Sequence, residues 1–138
     1  MPELKTYMIF ISHPWHKPYG GDYAKLTEML DEASNFTYEN YSISEDDPLH
    51  NGPDEELKQG FYNHIKPVHI VIVLSGMYVS YRDNIQTEID IAKELEKPII
   101  GIRPRGNEET PRAVGDVAVK IVGWYTPAIL EAARLWAL

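Results

Sequence analysis

Residues 68–74 read VHIVIVL, a nearly unbroken run of apolar and β-branched side chains with only His69 interrupting it. Such a run marks a strand buried on both faces, as in the middle of a parallel sheet. Ser75 and Gly76 break the run, and a short loop carrying Met77, Tyr78 and Ser80 is expected next. A helical pattern then continues to Leu95, where Lys97-Pro98 stops it. The centre of the chain is therefore a strand, loop, helix unit.

That helix carries polar residues on its apolar face. At about 100° per residue, Ile85, Ile89, Ile91, Ala92 and Leu95 share one sector, and Glu88 falls inside it. Asn84, one turn earlier, falls there too, whereas Gln86, Asp90, Lys93 and Glu94 lie opposite. A carboxylate facing a sheet is costly unless it is hydrogen-bonded or sits at the end of the core, and burial raises its pKa. Two readings stay open. In one, Glu88 is a helix-start residue whose side chain escapes to water or meets an arginine. In the other it is displayed in the crevice beyond the carboxyl ends of the strands, where open α/β sheets bind ligands. A capping box of Ser80 with Asp83 would put Glu88 two turns inside the helix; Asn84 as the N-cap would leave it in the first turn.

The flanking segments extend the alternation. Residues 6–11 (TYMIFI) read as a first strand ending at Ser12 and His13, followed by a loop with Trp15, His16, Lys17, Tyr19 and Gly20-Gly21. Asp22 is placed to cap a helix whose Tyr23, Leu26, Leu30 and Ala33 form one stripe. Residues 36–43 alternate as a polar, edge-type second strand, and 44–53 form a loop rich in helix and strand breakers. Asp54 is expected to cap a helix to Ile65 with Leu57, Phe61 and Ile65 inward; residues 98–102 and 117–122 supply two more strands. Thr126 as N-cap with Pro127 at the first position starts a last helix. Five strands alternating with helices predict a single α/β domain of flavodoxin-like type, its parallel sheet in the order 2-1-3-4-5 with helices on both faces. The switch point of that order lies between strands 1 and 3, so the segments starting at Ser12 and Ser75 flank the expected crevice.

Composition narrows the chemistry. With 138 residues and no cysteine, one core without disulfides is expected, and thiolate metal sites and cysteine nucleophiles are excluded. The apolar stretches are too short for a signal peptide's core or a membrane span, which predicts a cytoplasmic protein. A net charge of −8, spread along the chain, disfavours a nucleic-acid surface. Among five histidines, His13 and His16 lie close together, but no third ligand is spaced to join them, so no metal is expected. Gly20-Gly21 lacks the Rossmann and Walker spacings and reads as a turn. Asp46 and Asp47 lack the phosphoacceptor partner that a receiver-type acidic pocket requires. Trp15, Tyr19, Tyr41, Tyr78 and Tyr81 are expected in loops or at strand ends on the ligand side. There they serve either as stacking surfaces for an adenine or nicotinamide ring or as packing between loops.

Six short motifs occur in order along the chain: IFISHPW at 9–15, NYSI at 40–43 with DPL at 47–49, IVLSGMYVSY at 72–81, NIQTEIDIA at 84–92, KPIIGIRP at 97–104 and VGW at 122–124. On these the chain resembles the TIR-like, signal-producing subunit of the Thoeris antiphage defence system. The resemblance implies a TIR fold that cleaves NAD+, as substrate and not as a retained cofactor, at the nicotinamide–ribose bond. It further implies release of an ADP-ribose-derived signal nucleotide to which a partner effector responds, and self-assembly of the domain. The family's catalytic glutamate falls on Glu88, where it would act as nucleophile or electrostatic stabiliser of an oxocarbenium ion. Ser12, His13 and Asn84 would position the substrate, Trp15 and Tyr78 would stack on it, and Asn40 and Ser75 complete the candidate binding set. Many relatives carry Trp four residues before this glutamate, where this chain has Asn84. Two other function classes fit a sheet of this kind: a non-catalytic TIR-type interaction module, and a nucleoside deoxyribosyltransferase-like enzyme with a glutamate nucleophile.

Overall fold

The computed structural model describes residues 6–12, 21–33, 36–42, 54–103 and 112–137. Five parallel strands form one sheet: β1 (Thr6–Ser12), β2 (Thr37–Asn40), β3 (Ile70–Leu74), β4 (Ile99–Ile102) and β5 (Lys120–Val122). Their order is β2-β1-β3-β4-β5, the predicted flavodoxin-like arrangement. The helices are α1 (Gly21–Glu32), α2 (Asp54–Ile65), α3 (Ser75–Glu94), the short α4 (Arg112–Gly115) and α5 (Thr126–Trp136). Helices α2, α3 and α4 pack side by side in one layer and α1 packs on α5 in another, so the sheet is covered on both faces.

Strand β3 is central because every one of its residues is buried, and β1 joins it in register from Ile9↔Ile70 to Ser12↔Val73. Each fully buried Ile, Val or Leu contributes roughly 1.5–3 kcal/mol relative to exposure, which makes this pair the main apolar store of the sheet. The strand is shorter than the apolar run: Val68 is buried, but its N–H donates to Ile65 O, ending α2. His69 closes the space between. Its backbone N–H donates to Met8 O while Met8 N–H donates to its ring Nδ1 at 3.0 Å, which requires that nitrogen to be unprotonated. Strand β2 is the expected polar edge, although only residues 37–40 pair with β1. Phe36 beside it is buried, stacked on Tyr7 and covered by the Arg134 guanidinium 5.6 Å away.

Four helix boundaries differ from expectation. Helix α3 begins at Ser75, directly after β3, so Ser75 and Gly76 open a helix instead of a loop. Neither expected start survives: Leu74 stands at the N-cap without a side-chain cap, and Ser80 and Asn84 lie within the helix. No proline interrupts residues 75–94, and Gly76 in the first turn costs less than it would mid-helix. Asp22 and Asp54, expected at N-caps, occupy the second position of α1 and the first position of α2. Tyr125 holds the N-cap of α5 and Thr126 the first helical position, with Pro127 tolerated because its missing N–H has no helical acceptor. The turn of helix α4 has no counterpart in the sequence reading; four residues are too few to show a period.

The end of α3 is built on its backbone. Glu96 adopts φ of 57°, letting Lys97 N–H reach Ala92 O and Glu96 N–H reach Lys93 O. Lys97-Pro98 then leads into β4, as expected. Among the described residues no helix is long and apolar enough to cross a membrane, and no group of three His, Asp or Glu side chains could hold a metal ion.

Candidate active site

Glu88 is the fourteenth residue of α3 and only 2% exposed. Ile85, Ile89, Ile91 and Ala92 around it are buried too, so the helix has turned its apolar sector, Glu88 included, onto the sheet. The reading in which the side chain escapes to water is thereby excluded. Opposite it in the fold stands Ser12, the last residue of β1 and wholly buried. These are the buried polar side chains among the described residues, and the β1–β3 pairing that carries Ser12 is the switch point of the sheet.

Electrostatically the pair is unbalanced. Burial pushes the Glu88 carboxyl well above its ordinary value near 4.5, and the Ser12 hydroxyl opposes this by favouring the charged form. The hydroxyl lies near enough to exert that pull yet completes no hydrogen bond: Ser12 Oγ and Glu88 Oε1 both lack a partner among the described residues. Buried polar atoms without partners are rare in folded proteins and mark either bound water or a site awaiting a ligand. No described cation neutralises the carboxylate.

Next to Ser12 the backbone is fixed by Ser42, which sequence reasoning passed over, together with the candidate Asn40. Ile11 N–H donates to Ser42 Oγ at 2.9 Å, and Ser42 N–H donates to Asn40 Oδ1 at 2.9 Å. Asn40 is thus an exposed side chain engaged in a local turn that presents Ser42 to β1. It supports the strand carrying Ser12. The signal was present in the Asn-x-Ser spacing, but its target, the Ile11 amide, lies on another strand. His64 holds the same corner from α2: since Tyr41 O only accepts, its Nδ1 donates, at 2.7 Å. Tyr41 spends its hydroxyl on Glu39, and the Tyr62 hydroxyl of α2 donates to Glu94 of α3, tying the two helices together. Trp124 Nε1 donates to Arg103 O, so two of the sequence motifs meet at the ends of β4 and β5.

Of the other candidates, His13 and Trp15 lie outside the described residues, as do Tyr19, Asp46 and Asp47. Ser75, Tyr78, Tyr81 and Asn84 are backbone members of α3, and the two tyrosines are therefore in a helix instead of a loop. Asn84 precedes Glu88 by one turn.

The Thoeris protein ThsB TIR-like domain family matches residues 10–109 of the 138-residue chain. The chain belongs to this family. The matched span runs from the end of β1 through all of α3 and β4, so it contains both Ser12 and Glu88 and assigns the domain a defence-related TIR-like role. Among curated proteins none matches. Of solved structures, a 2-deoxyribosyltransferase from the psychrotolerant bacterium Bacillus psychrosaccharolyticus is similar at a TM-score of 0.57 and 18% identity, over 83% of this chain and 84% of that one. At that identity the likeness concerns the fold.

Proposed function

We propose that this TIR-like domain cleaves NAD+ at the nicotinamide–ribose bond, in the cytoplasm, and releases an ADP-ribose-derived signal nucleotide that activates a partner effector. The observation that carries the reading is Glu88, a carboxylate held out of water inside the apolar face of α3 and facing the end of β1. As the glycosidic bond breaks, its electron pair passes to the pyridinium nitrogen and nicotinamide leaves neutral, so no acid is needed to protonate it. Positive charge develops on the ribose as an oxocarbenium ion. A carboxylate in a poorly solvated site stabilises that charge strongly, or captures C1′ covalently, before water or an acceptor within the ADP-ribose completes the reaction. When water attacks, its hydroxyl joins C1′ and its proton is released.

Burial sets the resting state of this site. Glu88 alone holds its proton to unusually high pH, whereas a cationic nicotinamide ring bound beside it favours the charged carboxylate. Substrate binding and deprotonation of Glu88 are thus coupled, and Ser12 assists the charged form. The domain self-assembles to complete the site, as the family resemblance implies.

The test is product analysis after incubation with NAD+ and, separately, with deoxynucleosides. Release of nicotinamide from NAD+ that falls at least about 10²-fold in a folded Glu88→Gln variant is expected. Base exchange on deoxynucleosides alone would assign the site to deoxyribosyl transfer, and a wild-type rate in Glu88→Gln would remove this residue from the chemistry.

A further inference from the structure

Ser12 Oγ and Glu88 Oε1 are a donor and an acceptor, both buried, both unpartnered among the described residues, on elements brought together at the switch point. An ionised carboxylate oxygen only accepts, whereas a serine hydroxyl can donate. One alcohol satisfies both, donating to the carboxylate and accepting from the serine. We infer that Ser12 and Glu88 form a socket for a single sugar hydroxyl, and that Ser12 is the residue by which the site distinguishes ribosyl from 2-deoxyribosyl substrates.

The inference rests on the reading of Glu88 as the group facing C1′, and sugar stereochemistry then names the hydroxyl. In a β-riboside the base leaves from one face of the ring while the 2′-hydroxyl projects from the other. A carboxylate approaching C1′ opposite the leaving group therefore has the 2′-hydroxyl beside it. Ser12 is held in place: its backbone is paired with Val73, and the preceding amide is held by Ser42, so its hydroxyl stands on a fixed strand. A site that hydrogen-bonds a substrate hydroxyl discriminates strongly against the analogue lacking it, far more than an apolar pocket discriminates by size. Intrinsic reactivity runs the other way, because the 2′-hydroxyl withdraws electrons from the forming oxocarbenium ion. Preference for the ribosyl substrate must come from the protein.

The experiment compares NAD+ with its analogue lacking the 2′-hydroxyl on the nicotinamide ribose, in wild type and in Ser12→Ala. Removing an unpartnered buried hydroxyl does not threaten folding, and Ser12→Gly serves as a second variant. Expected is a wild-type kcat/KM ratio of at least about 10²-fold in favour of NAD+, falling to about tenfold or less in both variants through loss on NAD+ alone. Equal loss on both substrates, or no wild-type preference, overturns the inference; the latter is the outcome if the pair holds only a buried water. Absence of any product bears on the proposed function instead, and the same ratio is then read as Kd by titration calorimetry, where equal affinities or no binding again overturn the socket.

Discussion

Replacing Glu88 by glutamine should change how stability depends on pH, and the sign follows from the burial of the side chain. The folded-state pKa lies well above the unfolded value near 4.5, with desolvation as the main cause and Ser12 in partial opposition. Below about 4.5 the group is protonated in both states and carries no penalty. Between the two pKa values the folded protein keeps a proton that the unfolded chain has released, so stability falls as pH rises, by about 1.4 kcal/mol per pH unit for one group. Above the folded pKa the penalty is constant. Glutamine has the same shape and does not titrate. The difference in unfolding free energy between Glu88→Gln and wild type should therefore rise from about pH 4.5 with that slope and then level, cancelling the other carboxylates common to both. Urea denaturation followed by tryptophan fluorescence at half-unit pH steps measures it. Parallel curves for the two proteins would mean that Glu88 is solvated in solution, and the account of the site built on its burial would fail.

Glu96→Gly should stabilise the domain by about 0.5–1 kcal/mol, because the left-handed strain at φ of 57° exceeds the extra entropy glycine loses on folding; a lower melting temperature would show that the carboxylate matters there. Ser42→Ala should cost about 1–3 kcal/mol in urea unfolding by leaving the buried Ile11 amide without its acceptor, and Ser42→Thr should restore most of it; an Ala variant as stable as wild type would remove this support from β1. Asn84→Ala should leave stability unchanged or raise it by about 0.5 kcal/mol, since the residue lies within α3 and alanine is the better helix former. A loss near 1 kcal/mol would instead indicate a cap, and reduced NAD+ turnover without instability would place Asn84 in the pocket.

By itself the sequence determined the layers and the suspect. Periodicity is local, so the apolar run ending at Leu74 declared a central strand, and the stripes at Leu26 and Leu30 or Phe61 and Ile65 declared helices that bury them. Glu88 stood out for the same reason: a charge inside an apolar sector is visible wherever the helix begins. Where it begins was decided by the tertiary structure, because no capping side chain at Leu74 announces the start and the helix follows β3 directly at Ser75. Strand ends were likewise shorter than their apolar runs, since pairing requires a neighbour and Val68 is buried without one. The partnership of Ser12 with Glu88 was also beyond the sequence. Both positions could be suspected one at a time, but only the parallel pairing of β1 with β3, and the docking of α3 on that pair, brings a hydroxyl from the first strand to a carboxylate of the third helix and leaves both without a partner among the described residues.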